Sequence, residues 1–208
     1  MKKLISIFAI LSILQISQSN CFAQASSPDQ ITPLLEKSAL PYTKLVNIDA
    51  EEKKLDEIIN GVPTVLIFYR GGWCPYCNLQ LGELQKIESK LKSLGVNIVA
   101  ISPDSPEDLK KLIEKKTLSY QLYSDPNLDT AKAFGIAYKV DNENYKKLKG
   151  FSANMKKKSE QPDRILPVPA AFLVDKDGII RFHYANANYK IRVSSDDLIA
   201  QAKALSSN

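Results

Sequence analysis

The chain has 208 residues, 44% of them apolar and 25% charged, with a formal net charge of +5. That balance fits a globular chain of one domain, two at most, and excludes disorder, collagen and a multi-span membrane architecture. With only 8 glycines and 11 prolines and no internal repeat, a low-complexity linker or a solenoid is excluded as well.

Residues 1–25 open with Lys2 and Lys3, run through the apolar stretch Leu4 to Leu14, and end in Ala23-Gln24-Ala25. A positive start, an apolar middle too short to span a bilayer comfortably and an A-x-A site form the layout of a secretory signal, cut after Ala23 or Ala25. The alternative is an anchor helix that stays in place. Cys21 lacks the aliphatic and small neighbours of a lipoprotein site, since Gln18-Ser19-Asn20 precede it. Cleavage predicts an exported protein, periplasmic or secreted, with no membrane partner afterwards. It also lowers the charge from +5 to +3, too small a surplus to suggest nucleic acid as a partner. The remaining 26–208 reads as one domain.

Val62 to Tyr69 is a β-branched and aromatic run without polar alternation, as expected of a strand buried on both faces. After Arg70-Gly71-Gly72, apolar residues recur at Leu81, Leu84, Ile87, Leu91 and Leu94, a helical spacing that stops at Gly95. Val96 to Ile101 is the next strand, so the unit is βαβ, with parallel strands and a right-handed crossover. Ser105, Pro106 and Asp108 predict a capped helix carrying Leu109, Leu112 and Ile113; Asp125 and Pro126 repeat the device before Leu128, Ala131 and Phe134. Ala170 to Val174 and Ile179 to Tyr184 flank Asp175-Lys176-Asp177-Gly178, an antiparallel hairpin signal. A last helix starts at Ser194 or Ser195 and carries Leu198, Ile199, Ala202 and Leu205. The class is α/β, a mixed β-sheet with helices on both faces.

One stretch breaks this economy. Lys139 to Lys158 holds seven lysines against Asp141 and Glu143, with Tyr145, Leu148, Phe151 and Met155 at mostly helical intervals. It reads as a solvated amphipathic insertion near 139–163; the sharper alternative is a cationic cover that selects a redox partner.

With the leader removed, Cys74 and Cys77 are the cysteines that remain. A bridge closing so small a loop removes little entropy from the unfolded chain, so the pair is chemical rather than a structural staple. Trp73-Cys74-Pro75-Tyr76-Cys77 sits where the central strand gives way to the long helix. Unpaired amides and the helix dipole there favour thiolate over thiol, lowering a pKa of about 8.5 by a unit or more. One cysteine attacks while the other resolves the mixed disulfide. Structural zinc would need more ligands than this pair and the single histidine supply, and Asn78 stands where covalent haem would need histidine. A copper site of Cys74, Cys77 and His183 is a remote alternative.

Phe68 to Leu81 resembles the active-site segment of the peroxiredoxin-like branch of the alkyl hydroperoxide reductase and thiol-specific antioxidant family, built on a thioredoxin-like fold. The likeness continues in Ser102-Pro103-Asp104-Ser105, Ser124-Asp125, Ala133-Phe134-Gly135 and Phe172 to Gly178, covering roughly Gly61 to Tyr184 apart from the insertion. It implies a hydroperoxide substrate, a thioredoxin-like dithiol reductant and no cofactor. It places the family's proline, threonine and peroxidatic cysteine on Arg70, Cys74 and Cys77. Cys77 is then the attacking thiolate and Cys74 its resolving partner. The family's second arginine falls on Pro169, which leaves Arg70 as the candidate substitute.

Pro169 after Val168 also resembles the cis-proline that faces the cysteine pair of thioredoxins, and Trp73 suits that likeness. In it Cys74 attacks first, and the substrate is a protein disulfide. Peroxide reduction is the leading expectation and disulfide exchange the alternative; a copper-binding or redox-sensing module without turnover is the remote third.

Overall fold

The computed structural model describes residues 25–149 and 164–206. Residues 1–24 of the proposed leader, with Cys21, and Phe151 and Met155 of the insertion lie outside the described residues.

The order along the chain is β1 (Lys44–Val46), β2 (Glu52–Lys54), α1 (Leu55–Ile59), β3 (Thr64–Phe68), α2 (Pro75–Ser93), β4 (Asn97–Ser102), α3 (Pro106–Lys116), β5 (Gln121–Ser124), α4 (Asp129–Ala133), β6 (Ala137–Lys139), α5 (Asn142–Lys149), β7 (Ile165–Pro167), β8 (Ala170–Val174), β9 (Ile180–Ala185) and α6 (Ser195–Ser206). A seven-stranded sheet has the order β2-β1-β5-β4-β3-β8-β9, and β6 and β7 form a separate two-stranded ladder. As expected, β3 and β4 are parallel and β8 and β9 antiparallel, with β8 also antiparallel to β3. The sheet is therefore mixed, with β3 buried at every position.

Alternation along β3 builds two cores. Val65, Ile67 and Tyr69 face Leu81, Leu84 and Leu91 of α2, Leu109 and Leu112 of α3, and Leu198 and Ala202 of α6. Leu66 and Phe68 face Leu55 and Ile59 of α1, with Ala131 and Phe134 beside α4. There Phe68, Phe134 and Phe172 pack with ring centroids 4.8 to 5.9 Å apart.

The helix ends follow their caps. Ser105 Oγ accepts from the Asp108 N–H at 3.2 Å and donates to its carboxylate at 2.7 Å. Ser194 does the same for Asp197, at 3.0 and 2.6 Å. One cap departs from expectation. The helix after Asp125 begins at Asp129 rather than Pro126, because the Asp125 carboxylate reaches forward to the N–H groups of Thr130 and Ala131 at 3.2 and 2.9 Å, with Leu128 turned to φ 59°.

The insertion is closed at its base by the pairing of Ala137–Lys139 with Ile165–Pro167. Its described helix, α5, buries Tyr145 against Val140 and Leu166.

Candidate active site

The chain leaves β3 at Phe68 and enters α2 at Pro75, and the turn between them is fixed from two sides. Gly72 N–H donates to Asp104 Oδ2 at 2.7 Å, and Ser102 Oγ donates to the same oxygen at 2.9 Å. Asn78 Nδ2 reaches back to the Gly72 carbonyl at 2.7 Å. Gly71 has φ 132°, and a Cβ there would stand 2.5 Å from Trp73 Nε1 and 2.8 Å from Asp104 Oδ1, so the turn needs glycine. Pro75 takes the first helical position, where its missing N–H costs nothing, and Cys74 becomes the N-cap.

Cys74 and Cys77 are both free thiols, 1% and 0% exposed. Their surroundings divide them. The neighbouring Cys77 thiol and, less strongly, the Cys77 main-chain N–H favour the anion on Cys74; with the charges of Arg70 and Arg192 they outweigh burial and bring Cys74 down to about 6. Cys77 is held well above the ordinary thiol range by the hydrogen bond to Cys74, by burial and by the neighbouring negative sulfur. The two directions favour negative charge on Cys74 over Cys77. The family resemblance alone puts the thiolate on Cys77.

Two guanidinium groups flank the sulfurs. Arg70 is 4% exposed and lies between aromatic rings, its Cζ 4.9 Å from the Trp73 centroid and 4.4 Å from that of Tyr189. Arg192 brings Nη2 to 3.6 Å from Cys77 Sγ and donates from Nη1 to the carbonyls of Tyr189 and Ile191. Tyr189 in turn packs edge-on against Tyr76, centroids 5.8 Å apart. Beside Arg70 a cleft of about 330 Å³ is lined by Tyr138, Val140 and Tyr189 together with Asn144, Lys147 and Leu148 of α5. The insertion therefore borders the site. A larger cavity, about 430 Å³, lies at the other end of β3 around Pro63 and the β8–β9 turn, away from the thiols.

The fold thus brings Cys74, Cys77, Arg70 and Trp73 together. Pro169 is buried beside them, one residue before the Ala170 that pairs with Phe68. It corrects one expectation: no peptide bond among the described residues is cis, so Pro169 opens β8 as a trans proline, where a strand end tolerates its missing donor. The copper set is also corrected. His183 stacks on Phe172 in the opposite core and places Nδ1 2.7 Å from Glu36 Oε1, so the sheet separates it from the thiols. Among the described residues no cluster of three or more His, Cys, Asp or Glu side chains is placed to hold a metal ion.

Sequence reasoning missed Arg192 and Tyr189. Both lie in the loop between β9 and α6, 115 residues from Cys77 in the case of Arg192, where no motif or periodicity marks them. The available signal was an arginine and a tyrosine in a short connection opened by the turn-forming Asn186 and Asn188.

Comparison with known proteins gives three findings. Residues 37–183 match the model of the AhpC/TSA family. The chain is 33% identical over 106 residues to a putative peroxiredoxin bcp of Haemophilus influenzae, covering 51% of this chain and 68% of that one, and 24% identical over 129 residues to the thiol-disulfide oxidoreductase ResA of Halalkalibacterium halodurans, covering 62% and 72%. Its fold matches that of reduced Prx3 in complex with hydrogen peroxide from Vibrio vulnificus with a TM-score of 0.67 and 18% identity, covering 81% of this chain and 99% of the other.

Proposed function

The chain belongs to the AhpC/TSA family and is a peroxiredoxin-like oxidoreductase, and from that premise we propose that it reduces hydroperoxides through a Cys74–Cys77 dithiol/disulfide cycle. The observation that carries the reading is the pair of free, buried thiols at the start of α2 with two guanidinium groups beside it.

The cycle starts with a proton shift from Cys77 to Cys74. Cys77 thiolate attacks the terminal oxygen of the hydroperoxide, an S–O bond forms, the O–O bond breaks, and sulfur loses two electrons. The alkoxide or hydroxide that leaves takes a proton from the Cys74 thiol, which stands where the family has threonine. Cys74 thiolate then displaces hydroxide from the Cys77 sulfenic acid to form the disulfide. A thioredoxin-like dithiol restores the pair by exchange. The leader-like 1–25 supports an exported, periplasmic or secreted setting for this partner.

Disulfide exchange with proteins is the second reading, favoured by the anionic Cys74 at the N-cap. The two readings separate on a single addition of hydroperoxide to the serine variants. Cys74→Ser accumulates sulfenic acid on Cys77, detected by a dimedone adduct and mass spectrometry, whereas Cys77→Ser forms none faster than a free thiol. Sulfenic acid on Cys74 of Cys77→Ser reverses the roles. No fast reaction in wild type or either variant leaves disulfide exchange.

A further inference from the structure

In the likeness to its family the chain lacks a second arginine, because Pro169 occupies that place. The fold supplies one from elsewhere. The connection between β9 and α6 folds over α2 by short local turns: Asn188 N–H donates to Asn186 Oδ1 at 2.9 Å, Lys190 N–H to Asn188 Oδ1 at 3.1 Å, and Ile191 N–H to the Asn188 carbonyl at 2.9 Å. Buried Val193 and the Ser194 cap then anchor its end to α6. Arg192 is thus held from both sides, with Nη1 on main-chain carbonyls and Nη2 3.6 Å from Cys77 Sγ.

Its Nε donor is unspent. Arg192 Nε is buried and has no hydrogen-bond acceptor among the described residues, and the same is true of Arg70 Nε. A buried N–H without an acceptor is destabilising, more so when charged, so two of them beside a nucleophile need an explanation. An oxygen of the substrate would satisfy them.

We propose that Arg192 is a catalytic residue of the peroxide reaction, holding negative charge on Cys77 through Nη2 and offering Nε–H to a peroxide oxygen, in place of the arginine lost at Pro169. This rests on the peroxidase reading above. As the S–O bond forms and the O–O bond breaks, charge moves from Cys77 sulfur to the leaving oxygen, and a planar guanidinium contacts both ends of that movement. Arg192 also eases the proton shift from Cys77 to Cys74, because it favours the state with the charge on Cys77. The disulfide-exchange chemistry of Cys74 has no such need.

The test compares wild type, Arg192→Met and Arg192→Lys in steady-state consumption of tert-butyl hydroperoxide with dithiothreitol as reductant, alongside the rate of Cys74 alkylation by iodoacetamide. We expect kcat/KM for peroxide to fall by about 10²–10³-fold in Arg192→Met, the size seen on removing one donor from an oxyanion site. Arg192→Lys keeps the charge without the planar fork and recovers part of the loss, while Cys74 alkylation changes only a few-fold. A folded Arg192→Met with near wild-type kcat/KM overturns the proposal, as does an equal fall in both reactions, which would make the arginine a structural anchor. If Arg192→Met does not fold, Arg192→Lys decides: full activity overturns the proposal and a loss of about tenfold or more supports it. A wild-type protein that consumes no peroxide fails the underlying reading instead and takes this proposal with it.

Discussion

Cys74 and Cys77 are identical side chains in one helical turn, and what separates them is direction. The environment pushes Cys74 down and Cys77 up, so negative charge favours Cys74 even though Arg192 Nη2 lies 3.6 Å from Cys77 Sγ. This has a consequence for stability. In the unfolded chain Cys74 ionises near its ordinary value of 9.0, and in the folded, reduced protein at about 6. A depressed acid stabilises the fold when it is charged, so the contribution is fully present above about 9, shrinks as pH falls, and is gone below about 6. Urea unfolding of the reduced protein is therefore expected to show wild type gaining stability over Cys74→Ser as pH rises from 6 to 9. A gap between the two that stays flat across that range contradicts the assignment. Arg70 was legible as a site residue because it adjoins the motif, whereas Arg192 was not, because only tertiary folding brings it there.

At the level of elements, the parts legible in the sequence are those with strong local causes. The unbroken apolar run of β3, the 19-residue α2 with Pro75 at its start, the Ser105 and Ser194 caps and the Asp177-Gly178 turn all match the structure. The strands β1 and β2 escaped because they have three residues each and carry Lys44, Glu52, Lys53 and Lys54, leaving no apolar alternation to read, with β2 at the sheet edge. β6 and β7 escaped because they pair across the insertion rather than with sequence neighbours. The turn from β3 into α2 gives the prediction at this scale. Gly71→Ala forces a Cβ against Trp73 Nε1 and Asp104 Oδ1 at a positive φ, which must displace the loop that seats the thiols. We expect a stability loss of about 1–3 kcal/mol in thermal or urea unfolding, with peroxide turnover falling by more than the unfolded fraction explains. Wild-type turnover in Gly71→Ala would show that the turn does not position the cysteines.

Across the whole molecule the sheet divides two tasks. The core beneath α1 and α4 is filled by Phe68, Phe134 and Phe172 and takes no part in the chemistry, while the core beneath α2, α3 and α6 ends at the thiols. Chain segments distant in sequence meet at that end: the β3–α2 turn, Asp104 after β4, Pro169 before β8, and the connection that brings Tyr189 and Arg192. The α/β class with a mixed sheet was readable from the order of elements, and the thioredoxin-like fold from the family resemblance of the segment around the helix-start cysteines. The completed site was not, because its second arginine depends on how the last helix docks. All of the chemistry requires the reduced pair to hold one negative charge at neutral pH. Thiolate absorbance of the reduced protein, followed against pH with Cys74→Ser and Cys77→Ser as references, tests this most directly. The account predicts one ionisation with a midpoint at about 6, absent in Cys74→Ser, and a second well above the ordinary thiol value. Two thiols ionising together near 9.0 would contradict it.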